Sequence, residues 1–120
     1  PTRYVLNAPS AATVNVKASS GNVLSFSVTN ADTTSLSQLW FQIHNTSSTP
    51  SAGATAVLSF PVVLAVSTAG STLIVGTDFC TESGLNLSSG IAWALSTARS
   101  TYTAASSTFY QAIGVQINYI

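Results

Sequence analysis

The feature that most constrains this chain is the spacing of its large apolar residues between Gly90 and Ile120. Two runs place such a residue at every second position: Ile91, Trp93 and Leu95 in the first, and Ile113, Val115, Ile117 and Tyr119 in the second. Successive side chains of a β-strand point to opposite faces, so this spacing predicts two strands that each turn one face towards a core. The second strand needs partners for its backbone groups, and we therefore expect it inside a sheet.

Further strands are predicted wherever the same alternation or a short apolar run occurs. The segments are Ala12–Ala18, Val23–Asn30, Leu39–Asn45, Thr55–Val66 and Leu73–Val75, with a short strand between Thr77 and Ser89. A cluster of turn-forming residues joins the first two, which predicts a hairpin with Leu24, Phe26 and Val28 facing the core. Pro61 predicts that its strand lies at a sheet edge or contains a bulge.

These seven or eight short strands predict an all-β protein. The spacing of strands and turns is typical of an antiparallel β-sandwich, of either the jelly-roll or the immunoglobulin-like type. Residues 1–120 have the size of a single domain, and we expect one sandwich to include all of them. Residues 1–10 contain two prolines and are predicted to form an N-terminal arm or an edge strand.

The surface of the chain carries very little charge. Charged residues make up 5% of the sequence and the net charge is zero, whereas a typical soluble domain has about 25%. Binding to nucleic acid or to an anionic membrane therefore has no electrostatic support, and no apolar run is long enough for a membrane helix. Low charge favours a surface that is partly covered in an assembly, and a Ser/Thr-rich extracellular domain is the alternative.

No catalytic, cofactor-binding or metal-binding residue is predicted, and we expect that the protein is not an enzyme. Asp32, Asp78 and Glu82 are the only acidic residues, and solvated charges explain them better than a calcium site does. His44 is the only histidine, and no Gly-x-Ser-x-Gly motif accompanies it. The single cysteine, Cys80, excludes an intrachain disulfide and is predicted to be a small buried hydrophobe.

The outward face predicted for Leu39–Asn45 is the most distinctive surface. It carries Trp40, Gln42 and His44, and a Trp with hydrogen-bonding neighbours is typical of subunit interfaces and of sugar-stacking platforms. Three interpretations are open: a subunit contact, a ligand site, or a face that is buried beneath a loop. Together with Arg3 and Tyr4 of the opening segment, these residues are the candidate contact residues.

Three motifs in the region from Leu36 to Ile120 support a resemblance to a known group of proteins. They are Leu39–Asn45 (LWFQIHN), Ser88–Thr97 (SSGIAWALST) and Val115–Ile120 (VQINYI). The chain resembles a group of small virion proteins of tailed bacteriophages. Members of that group end in a similar S-[ST]-G-I-A-x-A-[IL]-[ST] stretch and a closing V-x-[IV]-N-Y-I strand.

The resemblance implies a structural protein of the phage particle, made in the host cytoplasm. The expected role is a capsid decoration or cement protein that binds the major capsid protein on the outside of the shell as a trimer. No cofactor, nucleic acid, membrane or small-molecule substrate is implied. The alternatives are a head-fibre, tail or receptor-binding component, or a carbohydrate-binding module that uses Trp40, Trp93 or Tyr102.

Overall fold

The computed structural model describes residues 1–30, 38–62 and 84–120, together with the backbone of residues 71–75. The predictions made above for Asp32, Asp78, Cys80 and Glu82 lie outside the described residues, as does the predicted strand beyond Val62. Within them lie nine strands and one short helix, which confirms the all-β prediction. In chain order they are β1 (Thr2–Asn7), β2 (Thr13–Lys17), β3 (Gly21–Asn30), β4 (Leu39–Asn45), β5 (Leu58–Val62), β6 (Ser71–Val75), β7 (Leu85–Leu87), β8 (Ile91–Ser96), α1 (Ser107–Tyr110) and β9 (Ile113–Tyr119).

The strands form two antiparallel sheets that pack face to face as a sandwich. Sheet 1 has the order β1-β9-β3-β6, and the short strand β7 also pairs with β3. Sheet 2 has the order β2-β8-β4-β5. Strands β6 and β7 share one edge of sheet 1, because β6 pairs with residues 26–30 of β3 and β7 pairs with residues 21–23. The described strands therefore occupy four positions in each sheet.

The strand order identifies the sandwich as a jelly roll. β1 pairs with β9, β2 with β8, β3 with β6, and β4 with β5. These pairs are those of one long antiparallel hairpin that is rolled up so that successive pairs lie alternately in sheet 1 and sheet 2. Among the described strands, β4 and β5 are the only pair that is consecutive in the chain and adjacent in a sheet. That arrangement is the double-sheet jelly roll and excludes the immunoglobulin-like alternative.

The hairpin predicted from the second and third strands is wrong. β2 pairs with β8 in sheet 2, whereas β3 pairs with β9 in sheet 1. Residues 18–20 therefore carry the chain from one sheet to the other instead of closing a hairpin. Alternation of apolar and polar residues predicts that a strand has one buried face, but it does not identify the neighbouring strand.

A bulge in β3 also corrects the inward position predicted for Leu24. The register with β9 shifts between Val23 and Ser25, so one additional residue lies on the β3 side. An additional residue reverses the alternation across the bulge. As a result Val23, Phe26 and Val28 are buried, while Leu24 is partly exposed.

The core lies between the inner faces of the two sheets. Sheet 2 contributes the residues predicted to face inward, which are fully or almost fully buried: Leu39, Phe41, Ile43, Ile91, Trp93 and Leu95. Sheet 1 contributes Val23, Phe26, Val28, Ile113, Val115 and Ile117. The ring of Phe41 lies 5.3 Å from that of Phe26 and 6.0 Å from that of Trp93, so aromatic contacts link the sheets. β9 lies between β1 and β3, which confirms that this strand is inside a sheet.

Two edge strands agree with the properties of their prolines. β5 is an edge of sheet 2, and Pro61 within it is exposed, as predicted. β5 begins at Leu58, three residues later than the predicted strand at Thr55, and Thr55 instead forms an isolated bridge with Thr101. Residues 2–7 of the opening segment form β1, which is an edge of sheet 1.

Gly90 of the SSGIA motif is required by close backbone packing. A side-chain carbon at this position would collide with the carbonyl oxygens of Thr46 and Lys17. These two oxygens belong to the residue after β4 and to the last residue of β2, which flank the start of β8. Only glycine permits this approach of three backbone segments. The glycine of the motif thus has a packing role.

Candidate contact surface

The candidate contact residues fall into two groups that the fold separates. Arg3 and Tyr4 lie on β1 of sheet 1, whereas Trp40, Gln42 and His44 lie on β4 of sheet 2. On β4, the three residues point away from the core, towards the outer face of sheet 2. Arg3 lies on the outer face of sheet 1, on the opposite side of the sandwich. The five residues therefore do not form one surface.

A segment that follows β8 covers the outer face of sheet 2. We call residues 97–106 the cover segment. On the outer side of β8, Ala92, Ala94 and Ser96 are small and fully buried, which allows backbone to lie close above the sheet. Tyr102 of the cover segment is 8% exposed and packs with Ala94 in a small second apolar cluster. Part of the outer face of sheet 2 is thus buried beneath the cover segment.

Gln42 holds the cover segment by a group of hydrogen bonds. Its side chain is fully buried, and its Nε2 lies 3.0 Å from the carbonyl oxygen of Ala98, 3.2 Å from that of Arg99 and 2.9 Å from that of Thr101. Buried backbone carbonyls need donors, and here one carboxamide provides them in place of water. Gln42 therefore stabilises a bend of the cover segment, whose only β-type contact with residues 54–56 is the isolated bridge between Thr101 and Thr55 in the described structure.

His44 completes this buried polar network. It is 2% exposed, and its Nε2 lies 2.9 Å from Oε1 of Gln42. Because the Gln42 nitrogen faces carbonyl oxygens, Oε1 is an acceptor and Nε2 of His44 carries the hydrogen. The ring of Tyr102 packs edge-on at 6.3 Å from the imidazole. Burial lowers the pKa of His44, so the imidazole is neutral at pH 7 and serves as a structural donor.

Ser96 anchors the two ends of the same bend. Its hydroxyl donates to the carbonyl oxygen of Thr101 at 2.9 Å and accepts from the backbone N–H groups of Ala98 and Thr103. The backbone N–H of Tyr102 also donates to the carbonyl of Ala54, which lies before β5. Sequence reasoning missed this role of Ser96, because a serine among many serines has no distinguishing pattern.

The expectation that Gln42 and His44 line an accessible interface is corrected by this burial. Both side chains face outward from β4, as predicted, but the cover segment lies above them. Of the three interpretations given above, burial beneath a loop is the one that applies to Gln42 and His44. A signal was present in the sequence: the run of small residues on the outer side of β8 precedes a connection that is too long for a tight hairpin.

Trp40 differs from its two neighbours because it remains partly exposed. The guanidinium carbon of Arg99 lies 5.4 Å from the centre of its ring, in a cation–π contact. The other aromatic residues considered for sugar stacking are not accessible, since Trp93 is 0% and Tyr102 is 8% exposed. Among Trp40, Trp93 and Tyr102, only Trp40 therefore still offers an accessible aromatic surface.

The outer face of sheet 1 has no cover among the described residues. It presents amide, hydroxyl and small side chains from three neighbouring strands: Arg3, Val5 and Asn7 of β1, Gly114, Gln116 and Asn118 of β9, and Ser25, Ser27 and Thr29 of β3. A groove of about 130 Å³ lies on this face beside Gly114, where the side chains of Asn7 and Thr29 approach too closely to admit a Cβ atom. Arg3 is the only charged residue of this set, so the face carries little charge and is rich in hydrogen-bonding groups.

Tyr4 attaches the edge strand β1 to the core. Its side chain is half-buried, and its hydroxyl accepts a hydrogen bond of 3.3 Å from Nε1 of Trp93. Burial raises the pKa of Tyr4, although the contact with Trp93 opposes that shift. Most of this side chain is therefore engaged inside the sandwich. Arg3, by contrast, is exposed and is free to contact a partner.

In the part of the chain that the structure describes, no group of three or more His, Cys, Asp or Glu side chains could hold a metal ion. The described residues likewise contain no helix of the length and apolar character needed to cross a bilayer.

Comparisons of the chain with protein-family models, with curated proteins and with solved structures found no match.

Proposed function

We propose that this chain is a structural virion protein of a tailed bacteriophage, a decoration or cement protein that binds the major capsid protein on the outer surface of the shell. The observation that supports this most is the jelly-roll strand order, an architecture that recurs in viral capsid and lectin domains. A shared fold supports a function only by analogy. The sequence resemblance between Leu36 and Ile120 adds an independent reason for the virion class.

The residues that carry the resemblance lie mainly in the interior. Ser88–Thr97 includes β8 and Val115–Ile120 lies largely in β9, and each of these strands has a neighbour on both sides. Their inward-facing apolar residues lie in the core: Ile91, Trp93, Leu95, Val115 and Ile117. The resemblance therefore concerns mainly the framework, and the residues that contact a partner are expected at surface positions, such as the exposed Arg3 and the partly exposed Trp40.

The proposed mechanism is the addition of contact area between shell subunits. A neutral face of amides and hydroxyls can form hydrogen bonds to a protein surface without the desolvation of charged groups. Many copies on one particle act together, so a modest affinity per copy is sufficient. Because few charges take part, we expect binding to change little with salt concentration. The resemblance suggests that three copies associate at threefold positions on the shell.

The proposal is tested by co-sedimentation of the purified chain with shells assembled from the major capsid protein of the same phage. We expect saturable binding at a constant ratio to shell subunits and a higher temperature of shell dissociation. Binding to isolated tails or fibres, with none to shells, would instead favour one of the other virion roles.

Two substitutions show which side of the sandwich faces the shell. Arg3→Ala alters an exposed residue and Trp40→Ala a partly exposed one, on opposite outer faces. A protein that lies on a shell by one side should lose affinity with only one of them. Gln116→Ala, on the same face as Arg3, should weaken binding together with Arg3→Ala if sheet 1 faces the shell. If neither Arg3→Ala nor Trp40→Ala weakens binding, the prediction that these two residues are contact residues is wrong.

The carbohydrate-binding alternative depends on Trp40 alone, since Trp93 and Tyr102 are buried. Sugar-binding sites usually need an accessible ring beside polar groups, and the ring of Trp40 already contacts Arg99. A glycan array would support this alternative only if a signal appears and Trp40→Ala abolishes it.

A further inference from the structure

The four sheet edges differ in how they discourage contact with another strand. β2 has a register shift between Asn15 and Lys17, and Lys17 adds a charge. β5 contains Pro61, and the edge formed by β6 and β7 consists of two short strands of five and three residues. Bulges, charges, prolines and short strands are the usual means by which edges avoid further pairing. Within its paired residues, β1 has no bulge and no proline, and its only charged side chain is Arg3 on the outer face.

The backbone of β1 has a defined set of free hydrogen-bonding groups. β1 pairs with β9 in an unbroken register over all six of its residues. The N–H of Ala8 donates to the carbonyl of Ile113 at 3.0 Å, just beyond the strand. In an antiparallel pair, the residues that bond to the neighbour alternate with residues that face away. The N–H and C=O groups of Arg3, Val5 and Asn7 therefore point away from β9, towards the free edge.

We propose that the free protein forms a twofold dimer in which β1 pairs antiparallel with β1 of a second copy, with Val5 opposite Val5. This register also places Arg3 of each copy opposite Asn7 of the other. All three outward-facing residues then take part, which allows about six hydrogen bonds across the axis. The two copies of sheet 1 become one continuous sheet.

Other registers are less favourable. The register can change only in steps that keep side chains on the same face. One step towards the N-terminus sets Arg3 opposite Val5 and shortens the ladder, and a second step sets the two copies of Arg3 against each other. Like charges that are directly opposed destabilise a strand pair. The proposed register also covers Val5, which is 48% exposed and is one of the few large apolar side chains at the described surface.

This dimer goes beyond the proposed function and does not depend on it, because it concerns the chain without a shell. Molar mass is measured by light scattering after size exclusion, from micromolar to millimolar protein. We expect a monomer that converts to a dimer as concentration rises. Val5→Lys should raise the dissociation constant of the dimer about tenfold, because it sets two like charges opposite each other and removes an apolar contact. Val57→Lys is the matched control, since Val57 is 44% exposed and lies outside β1.

A cross-linking experiment tests the register. In a Cys80→Ser background, Val5→Cys places two thiols opposite each other at the axis. Paired residues there have Cα atoms about 5.5 Å apart, within the range of about 4.4–6.8 Å that a disulfide spans. Mild oxidation should therefore link Val5→Cys into a covalent dimer. Asn7→Cys in the same background should remain unlinked, because its neighbour across the axis is Arg3.

The possible outcomes separate clearly. A dimer that is weakened by Val5→Lys and preserved by Val57→Lys supports the β1 contact, provided that circular dichroism shows both variants folded. A monomer at all concentrations, a trimer, or a dimer that Val5→Lys leaves unchanged overturns it. Equal cross-linking of Val5→Cys and Asn7→Cys overturns the register. A failure of the chain to bind shells would refute the proposed function and leave the dimer measurement unaffected.

Discussion

The two outer faces of the sandwich carry similar residues in opposite environments. On sheet 2, Gln42 and His44 are buried beneath the cover segment and form hydrogen bonds with it or with each other. On sheet 1, Gln116 and Ser27 are partly exposed and lie beside an open groove. A polar side chain on the outside of a strand can thus solvate the surface or satisfy buried carbonyls. The side chain itself does not decide between these roles.

This difference predicts opposite responses to the loss of a glutamine. Gln42→Ala leaves the carbonyl groups of Ala98 and Arg99 without this donor, whereas the carbonyl of Thr101 keeps the hydroxyl of Ser96. We expect a loss of about 3 kcal/mol in the free energy of unfolding. Gln116→Ala should change it by no more than about 0.5 kcal/mol. Chemical denaturation of both variants measures the two values. Equal losses would contradict the distinction between a covered and an open face.

Tyr4 provides the next largest expected effect, at the edge of the open sheet. Tyr4→Phe removes the acceptor for Nε1 of the buried Trp93, and we expect a loss of about 1–3 kcal/mol. Tyr119→Phe is the control, because its hydroxyl makes no hydrogen bond within the described residues. The comparison is made by thermal and chemical denaturation. If both variants lose the same stability, the contact with Trp93 does not hold β1 in place.

The buried imidazole predicts a pH dependence that comes from the covered face. The pKa of His44 is lowered from 6.5 by burial, so the unfolded chain binds more protons than the folded chain as pH falls through this value. The free energy of unfolding should therefore decrease as pH falls below about 6.5 and stop decreasing below the folded-state pKa.

His44 is the only histidine of the chain, and histidine is the side chain whose unperturbed pKa lies between pH 5 and pH 8. Urea denaturation between pH 7 and pH 5 thus isolates its contribution. His44→Gln should abolish the slope in this interval. A slope that persists in this variant would show that another group is responsible.

The smallest effect is expected on top of the cover segment. The guanidinium of Arg99 contacts the partly exposed ring of Trp40, and Arg99→Ala should reduce the free energy of unfolding by about 0.5 kcal/mol. Arg99→Lys keeps the cation and should retain part of this amount. Arg3→Ala, on the open face, should have no measurable effect on stability. A loss of several kcal/mol with Arg99→Ala would mean that the side chain has a further role in holding the cover segment.

Local properties of the chain were predictable because they depend on near neighbours in the sequence. The alternation of Leu39, Phe41 and Ile43 predicted which side of β4 faces the core, and burial confirms it. The edge position of Pro61 followed from its missing backbone donor, and the structure confirms that as well. In each case one residue type and its spacing contain the physical cause.

Other properties depended on parts of the chain that are far apart. Strands were predicted at the positions of β2 and β3, yet these strands pair with β8 and β9 and not with each other. The prediction that Gln42 points outward was also correct. Its burial, however, depends on carbonyl groups that lie 56 to 59 positions further along the chain. Sequence periodicity reports that a face is apolar or polar. Which segment finally covers that face depends on the free energy of the whole fold, in which distant pairings compete with one another.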